Sequence, residues 1–318
     1  MKAKRIVIGV LLAVVSLKLL AVAIAAVSVY VLDRTNGTIV SSGQERKYLL
    51  YVPKSYDPAK PTPLVISLHA FALWPAAQRE ISGWNTLADE HGFIVVYPAG
   101  TGMLAKMWRM EPEEDLLANV GFIADLIDNL EATYNIDATR IYANGFSNGG
   151  GMSFVLACAL SDRLAAIGTV AAAQVLPWSR CAGGPPMPVI VLHGDADRIV
   201  PYTGGPSAFF DIPFPSVPDW TRNWARRNRC APEPAESTTA ADVSRIEYTN
   251  CAEDAAVVLY TVRGGGHSWP GGKPLPEWMV GSTTRNVNAT GEMWAFFRKH
   301  QRRENQPHES GVRGDPEG

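Results

Sequence analysis

Residues 140–160 read RIYANGFSNGGGMSFVLACAL. A short apolar run, Arg140 to Phe146, meets a cluster of glycines and then a stretch suited to a helix. At the junction stands Gly145-Phe146-Ser147-Asn148-Gly149, the pattern G-x-S-x-G. The pentapeptide alone says little, because glycine and serine are common in turns. Its neighbours give it weight. A strand before and a helix after put the serine on a sharp turn, where small neighbours leave room for a strained backbone. The helix N-terminus behind it favours developing negative charge. Ser147 is therefore read as a nucleophile, against the plainer reading of a helix N-cap serine.

Working outward, the same alternation repeats. Arg46–Pro53 reads as a strand closed by a proline turn, and Pro63–Ala70 and Gly92–Gly100 as further strands. Asn119–Asn135 has apolar residues at helical spacing. Ala165–Ala173, Met187–Asp197 and Ala255–Gly264 read as strands, with helices over Val217–Asn228 and Asn288–His300. The strands are apolar throughout rather than alternating in polarity. That predicts a mainly parallel sheet buried on both faces under helices, an α/β fold. No repeat or linker breaks residues 36–300, so they are expected to form one catalytic domain. The polar, Gly- and Pro-containing stretch 301–318 is expected to be a disordered tail.

A nucleophilic serine needs a base, and the base needs an orienting acid. In the strand–turn–helix architecture these follow in the chain order serine, acid, histidine. Of six histidines, His267 fits best: RGGGHSWPGG is a glycine-rich loop directly after a strand. His69, His91 and His193 fail the chain order, and His300 and His308 lie in the last helix and the tail. The acid belongs at a strand end between Ser147 and His267. VIVLHGDADRIVPY offers Asp197, further into the loop, with Asp195 as the alternative. The oxyanion hole needs two backbone N–H groups. Asn148, next to the serine, supplies one, and Phe71, in the loop after an early strand, is assigned the other, with Ala70 as alternative.

The bulk numbers bound the rest. The chain has 318 residues, 47% of them hydrophobic, and a formal net charge of −2, so no basic field points to nucleic acid. MKAKR is followed by an apolar run from Ile6 to Leu32, long enough to span a bilayer and interrupted by Lys18. A central lysine costs about 2.5–3.5 kcal/mol, which the aliphatic neighbours can offset. Residues 1–35 are thus expected to be a signal anchor or a cleaved signal peptide, with the remainder exported, extracellular or periplasmic. Four cysteines in an exported chain read as two disulfides with three possible connectivities. The sequential pairs Cys158–Cys181 and Cys230–Cys251 are preferred, each closing a loop worth about 3 kcal/mol in the chain-entropy model.

Five segments carry a family resemblance: LLYVPKSYDPAKPTPLVISLHAF, SGWNTLADEHGFIVVYPAGT, VGFIADLIDNLEATYNIDATRIYANGFSNGGGM, PVIVLHGDADRIVPY and VRGGGHSWPGG. In that order they resemble the exported poly(3-hydroxybutyrate) depolymerase-like esterases, grouped with the feruloyl and acetylxylan esterases of carbohydrate esterase family one. The resemblance implies an α/β-hydrolase fold and ester hydrolysis through an acyl-enzyme. It places Ser147, Asp197 and His267 on the triad positions and supports the two disulfides. The sequence departs from the family at His69-Ala70, where His-Gly is usual; a Cβ there restricts φ and predicts a reshaped oxyanion loop. It departs again at Asn119, where an aspartate is common, and in the acidic stretch EPEEDLLANV.

No metal or organic cofactor is expected, and no obligate protein partner is indicated. Contact with a membrane is expected through residues 6–32 only where that segment is left uncleaved. Trp269 and Trp108 are expected to offer aromatic faces to the substrate, as is Trp84, for which core packing is the equal alternative. Hydroxyalkanoate or other short-chain esters stand slightly ahead of feruloyl and acetylxylan esters as substrates. A peptidase and a non-catalytic binding protein on the same fold are the remaining readings.

Overall fold

The structure, a computed structural model, describes residues 34–102, 105–174, 176–181 and 183–303. The expected N-terminal anchor (6–32) and most of the expected tail lie outside them. Among the described residues no helix is long and apolar enough to cross a membrane.

The strands in chain order are β1 (Gly37–Ser41), β2 (Gln44–Tyr51), β3 (Thr62–Leu68), β4 (Ile94–Pro98), β5 (Ile136–Phe146), β6 (Ala166–Val170), β7 (Val189–Gly194), β8 (Gly205–Pro206), β9 (Pro213–Phe214), β10 (Ala235–Ala240), β11 (Val243–Tyr248) and β12 (Val257–Val262). The short strands β8 and β9 pair only with each other. The other ten form one sheet in the spatial order β1-β2-β4-β3-β5-β6-β7-β12-β11-β10. Its middle six, β4 to β12, pair in parallel, and the two strands at each edge pair antiparallel. The central strands are the ones the sequence marks as continuous apolar runs: β3, β4, β6 and β7 are buried at every residue. The edge strand β10, AESTTA, is exposed along nearly its whole length and is too polar to signal a strand. It forms because β11 offers it a partner, not because it has a face to bury.

Helices α1 (Pro75–Ser82), α2 (Trp84–His91), α3 (Glu113–Thr133), α4 (Asn148–Ala159), α5 (Val217–Arg227), α6 (Glu277–Val280) and α7 (Ala289–Phe297) connect the strands. Two hydrophobic clusters lie on opposite faces of the sheet. One packs Phe122, Ile123, Leu126, Phe154 and Trp224 of α3, α4 and α5 against it, and the other packs Trp84, Trp294 and Phe297 of α2 and α7. The acidic stretch before Asn119 has a local cause. Glu113, Glu114 and Asp115 form the first turn of α3, where carboxylates face the positive end of the helix dipole. Glu113 also pairs with Arg180.

β3 has β4 on one side and β5 on the other, so the chain reverses its winding direction there. In open α/β sheets such a switch point opens a crevice beyond the carboxyl ends of the strands. The loop carrying Phe71 leaves β3 at that edge, and the turn carrying Ser147 leaves β5 beside it. Both preferred disulfides are present: Cys158–Cys181 ties the end of α4 to the loop before β7, and Cys230–Cys251 ties the segments flanking β10 and β11.

Candidate active site

Ser147 has φ 53° and ψ −118°, a positive-φ conformation that a serine adopts only under constraint. The constraint is packing around the turn. A Cβ on Gly145 would collide with the Gly149 carbonyl, and one on Gly149 would collide with the Leu68 and His69 carbonyls at the end of β3. Both flanking glycines of the motif are therefore required by close backbone approach. Ser147 N–H donates to Val170 O at 2.9 Å and Ser147 O accepts from Gly151 N–H at 2.9 Å, which fixes the β5–α4 turn against the end of β6.

Asp197 and His267 come together. His267 Nδ1 donates to Asp197 Oδ2 at 2.7 Å, with both side chains buried. The other carboxylate oxygen accepts the backbone N–H groups of Ile199 (2.8 Å) and Val200 (2.9 Å). Burial alone would raise the Asp197 pKa. The charge and hydrogen bond of His267, with His193, outweigh it and hold the carboxyl well below the usual range. With Nδ1 committed to the carboxylate, Nε2 is left for proton exchange. The His267 ring lies against Phe146, the residue before Ser147, with centroids 5.2 Å apart, so the imidazole and the serine turn are side by side. The loop bearing His267 is pinned by His267 N–H to Val280 O (2.6 Å) and Gly266 N–H to Ser282 O (2.9 Å). Asp195 serves that loop and not the imidazole. Its Oδ1 accepts Gly264 N–H at 2.7 Å and anchors the loop from below.

Two histidines excluded by chain order have structural work here. His193 Nε2 donates to Val200 O (2.9 Å) and lies 3.4 Å from Asp197 Oδ2, so the carboxylate sits between two imidazoles. His69 is fully buried; its Nε2 accepts Gly100 N–H (2.9 Å) and its Nδ1 donates to Ala70 O (2.8 Å). Burial pushes the His69 pKa down to about 4, so the ring is neutral. It holds the start of the loop that carries Phe71.

That loop takes its left-handed turn immediately after Phe71. The left-handed residue is Ala72 (φ 58°), and Ala70 is not among the positive-φ residues, so its Cβ is accommodated. The N–H of Asn148 is one of the free donors at the start of α4. Neither it nor the Phe71 N–H has an acceptor among the described residues. The Asn148 side chain is held at both ends: Oδ1 accepts Trp108 N–H (2.7 Å) and Nδ2 donates to Trp108 O (3.0 Å).

The tryptophan expectation needs correction. Trp269 and Trp108 are each only 1% exposed. Trp269 packs edge-on against Phe146 and donates to Thr290 Oγ1 (2.9 Å), and Trp108 donates to His69 O (3.1 Å). Trp84 donates to Asn144 Oδ1 (3.0 Å) and stacks on Phe297. Each indole N–H has a buried acceptor, and the large rings serve the core around the site instead of its mouth.

The cleft over Ser147 and Asn148 has a volume of about 160 Å³ and walls of Phe71, Met110, Phe210, Ile212 and Phe214, with Val200 behind them. Phe210, Ile212 and Phe214 come from the small β8–β9 hairpin, inserted between β7 and α5. The signal for it is GPSAFFDIPFP, a loop with four phenylalanine or isoleucine side chains where solvated loops are polar. A larger cleft, 440 Å³, lined by Trp74, Arg79 and Lys273 among others, contains none of Ser147, Asp197 or His267. No cluster of metal-ligating side chains occurs among the described residues.

Residues 46–177 match the family described as Esterase PHB depolymerase. Putative esterase NocK of Nocardia uniformis is 31% identical over 79% of this chain and 78% of its own length. The chain belongs to the PHB-depolymerase-type esterases. Feruloyl esterase B of Piromyces equi is 32% identical over 72% of this chain, which spans only 44% of that relative's length. Feruloyl esterase C of Emericella nidulans is 28% identical over 83% of this chain and 87% of its own length. Among solved structures, an acetyl xylan esterase from Aspergillus awamori superposes with a TM-score of 0.55 at 17% identity, covering 73% of this chain and 93% of that one. At that identity the likeness shows the α/β-hydrolase fold alone.

Proposed function

We propose that this family member is a serine carboxylester hydrolase working through an acyl-enzyme, with aryl (feruloyl-type) esters as its substrates. The observation that carries the reaction is the hydrogen bond between His267 and Asp197 beside a strained serine turn. His267 Nε2 takes the Ser147 proton as Oγ attacks the ester carbonyl. Asp197 holds the imidazole and stabilises its cation. The N–H groups of Asn148 and Phe71 receive the oxyanion. His267 then protonates the leaving alcohol, and water repeats the sequence to free the acid. No step calls for a cofactor.

The order of the two substrate readings reverses. Hydroxyalkanoates led on sequence, but relatives named feruloyl esterases recur among the similar proteins, and the cleft is walled by phenylalanines. Two disulfides fit an oxidising, extracellular setting for residues 36–300. The deciding experiment is turnover of methyl ferulate, a hydroxybutyrate oligomer and a peptide anilide by the purified protein. The proposal expects the ferulate ester to be cleaved fastest. A peptide anilide cleaved faster than either ester would overturn it, and faster cleavage of the oligomer would restore the hydroxyalkanoate reading.

A further inference from the structure

The cleft has a chemical bias that the family resemblance does not carry. Among the described lining residues only Ser147 and Asn148 have polar side chains. Ser147 is the proposed nucleophile, and the Asn148 amide is engaged at both ends by the Trp108 backbone. Every other described wall side chain is apolar, so a hydroxyl on the acyl group that lies against Phe71, Phe210, Ile212 or Phe214 has no side chain to bond. Burying an unpaired hydroxyl is unfavourable, whereas methoxy or hydrogen at the same position is not penalised in this way.

Two rings face one another at the mouth. Phe71 and Phe210 meet edge to face, with centroids 5.9 Å apart and planes at 89°. Phe71 comes from the oxyanion loop and Phe210 from the β8–β9 hairpin, and both remain partly exposed (42% and 37%). The hairpin end is fixed: Ser207 Oγ donates to Ile199 O (2.7 Å) and accepts the N–H groups of Phe209 (3.0 Å) and Phe210 (3.2 Å). Phe210 is therefore held opposite Phe71 by a short anchored turn beside the Asp197 loop.

Resting on the esterase reading above, we propose that the acyl site recognises the ring of an aryl acyl group and disfavours hydroxyls on it, two more than the single one that a feruloyl group carries beside its methoxy. Phe210 is the specificity-determining residue. The preferred substrates are cinnamate-type esters that are unsubstituted or methoxylated, with dihydroxylated ones disfavoured. The same bias extends to aliphatic acyl groups, placing butyrate ahead of 3-hydroxybutyrate.

The test compares kcat/KM for methyl cinnamate and its 3,4-dimethoxy and 3,4-dihydroxy forms in wild type, Phe210→Ala and Phe210→Trp, with an acetate ester and Ser147→Ala alongside. The expected preference for dimethoxy over dihydroxy is at least about tenfold. Phe210→Ala is expected to cut the dimethoxycinnamate-to-acetate ratio about tenfold, mainly through KM, and Phe210→Trp to retain most of it. A dihydroxy ester cleaved as well as the dimethoxy ester, or an unchanged ratio in Phe210→Ala, overturns the inference while leaving the esterase reading standing. Wild type as inactive as Ser147→Ala on every ester overturns both.

Discussion

Asn148 grips the backbone of Trp108 at both its N–H (2.7 Å) and its carbonyl (3.0 Å). The residue after the serine thus has two proposed roles. Its backbone N–H faces the oxyanion, and its side chain locks the neighbouring loop. Met110, two residues past Trp108, forms part of the cleft wall. Asn148→Ala keeps the N–H and loses the clamp. It is expected to lower kcat/KM by about ten- to a hundredfold, the scale of a misplacement near 1 Å, with the fold intact. Steady-state kinetics and circular dichroism check this. Activity within about twofold of wild type would show that the clamp does not matter.

The two aspartates of the β7 loop separate cleanly. Asp197 accepts from His267 Nδ1, and Asp195 accepts from the Gly264 N–H. Asp197→Asn is expected to lower kcat by roughly 10⁴, the loss seen when an orienting carboxylate is replaced by an amide. Asp195→Asn keeps a carbonyl oxygen that can accept from Gly264, and a much smaller loss is expected. Kinetics of the two variants under one set of conditions decide it, and the reverse ranking would move the acid to Asp195.

His69 sets a window for acid sensitivity. Its folded pKa lies at about 4, against 6.5 for the unperturbed side chain, because burial disfavours the cation. Between those values the unfolded chain binds a proton that the folded chain does not. Stability is therefore full above about pH 6.5 and falls as the pH drops toward 4. His300, also lowered to about 4 by burial, acts in the same direction. Asp197 acts in a lower window, below the ordinary carboxylate pKa, because its folded value is depressed. Urea unfolding at intervals from about pH 7 to 4 should show the decline, and His300→Gln should remove part of its slope. A flat profile across that window would contradict the neutral form of buried His69 and part-buried His300.

What the sequence made legible follows from where local signals are strong. The parallel core strands are apolar at nearly every position, and the serine turn has glycines that its geometry requires. Asp197 and His267 could be found because each follows such a strand. Edge strand β10 could not, because its exposed polar residues carry no burial pattern. The role of Trp108 and Trp269 was misread for a related reason. Sequence places a tryptophan near a site but does not say whether its N–H will find a buried acceptor, and both did. The cleft walls were missed because Phe210 and Ile212 lie in a loop with no period, and only its unusual apolarity marks it. Asn119 is a third case. In the structure its side chain accepts from the buried Arg46 (3.0 Å) and donates to Arg109 O (2.9 Å), a bridging role that spacing cannot reveal.

Covalent trapping tests most directly whether Ser147 is the nucleophile. The purified protein is treated with an organophosphonate ester that phosphonylates activated serines, and the adduct is located by peptide mass spectrometry alongside residual ester turnover. One adduct on the peptide carrying Gly145–Gly149, positioned at Ser147 and matching the loss of activity, is the expected result. Full loss of activity with Ser147 unmodified, or undiminished turnover by Ser147→Ala, would contradict it.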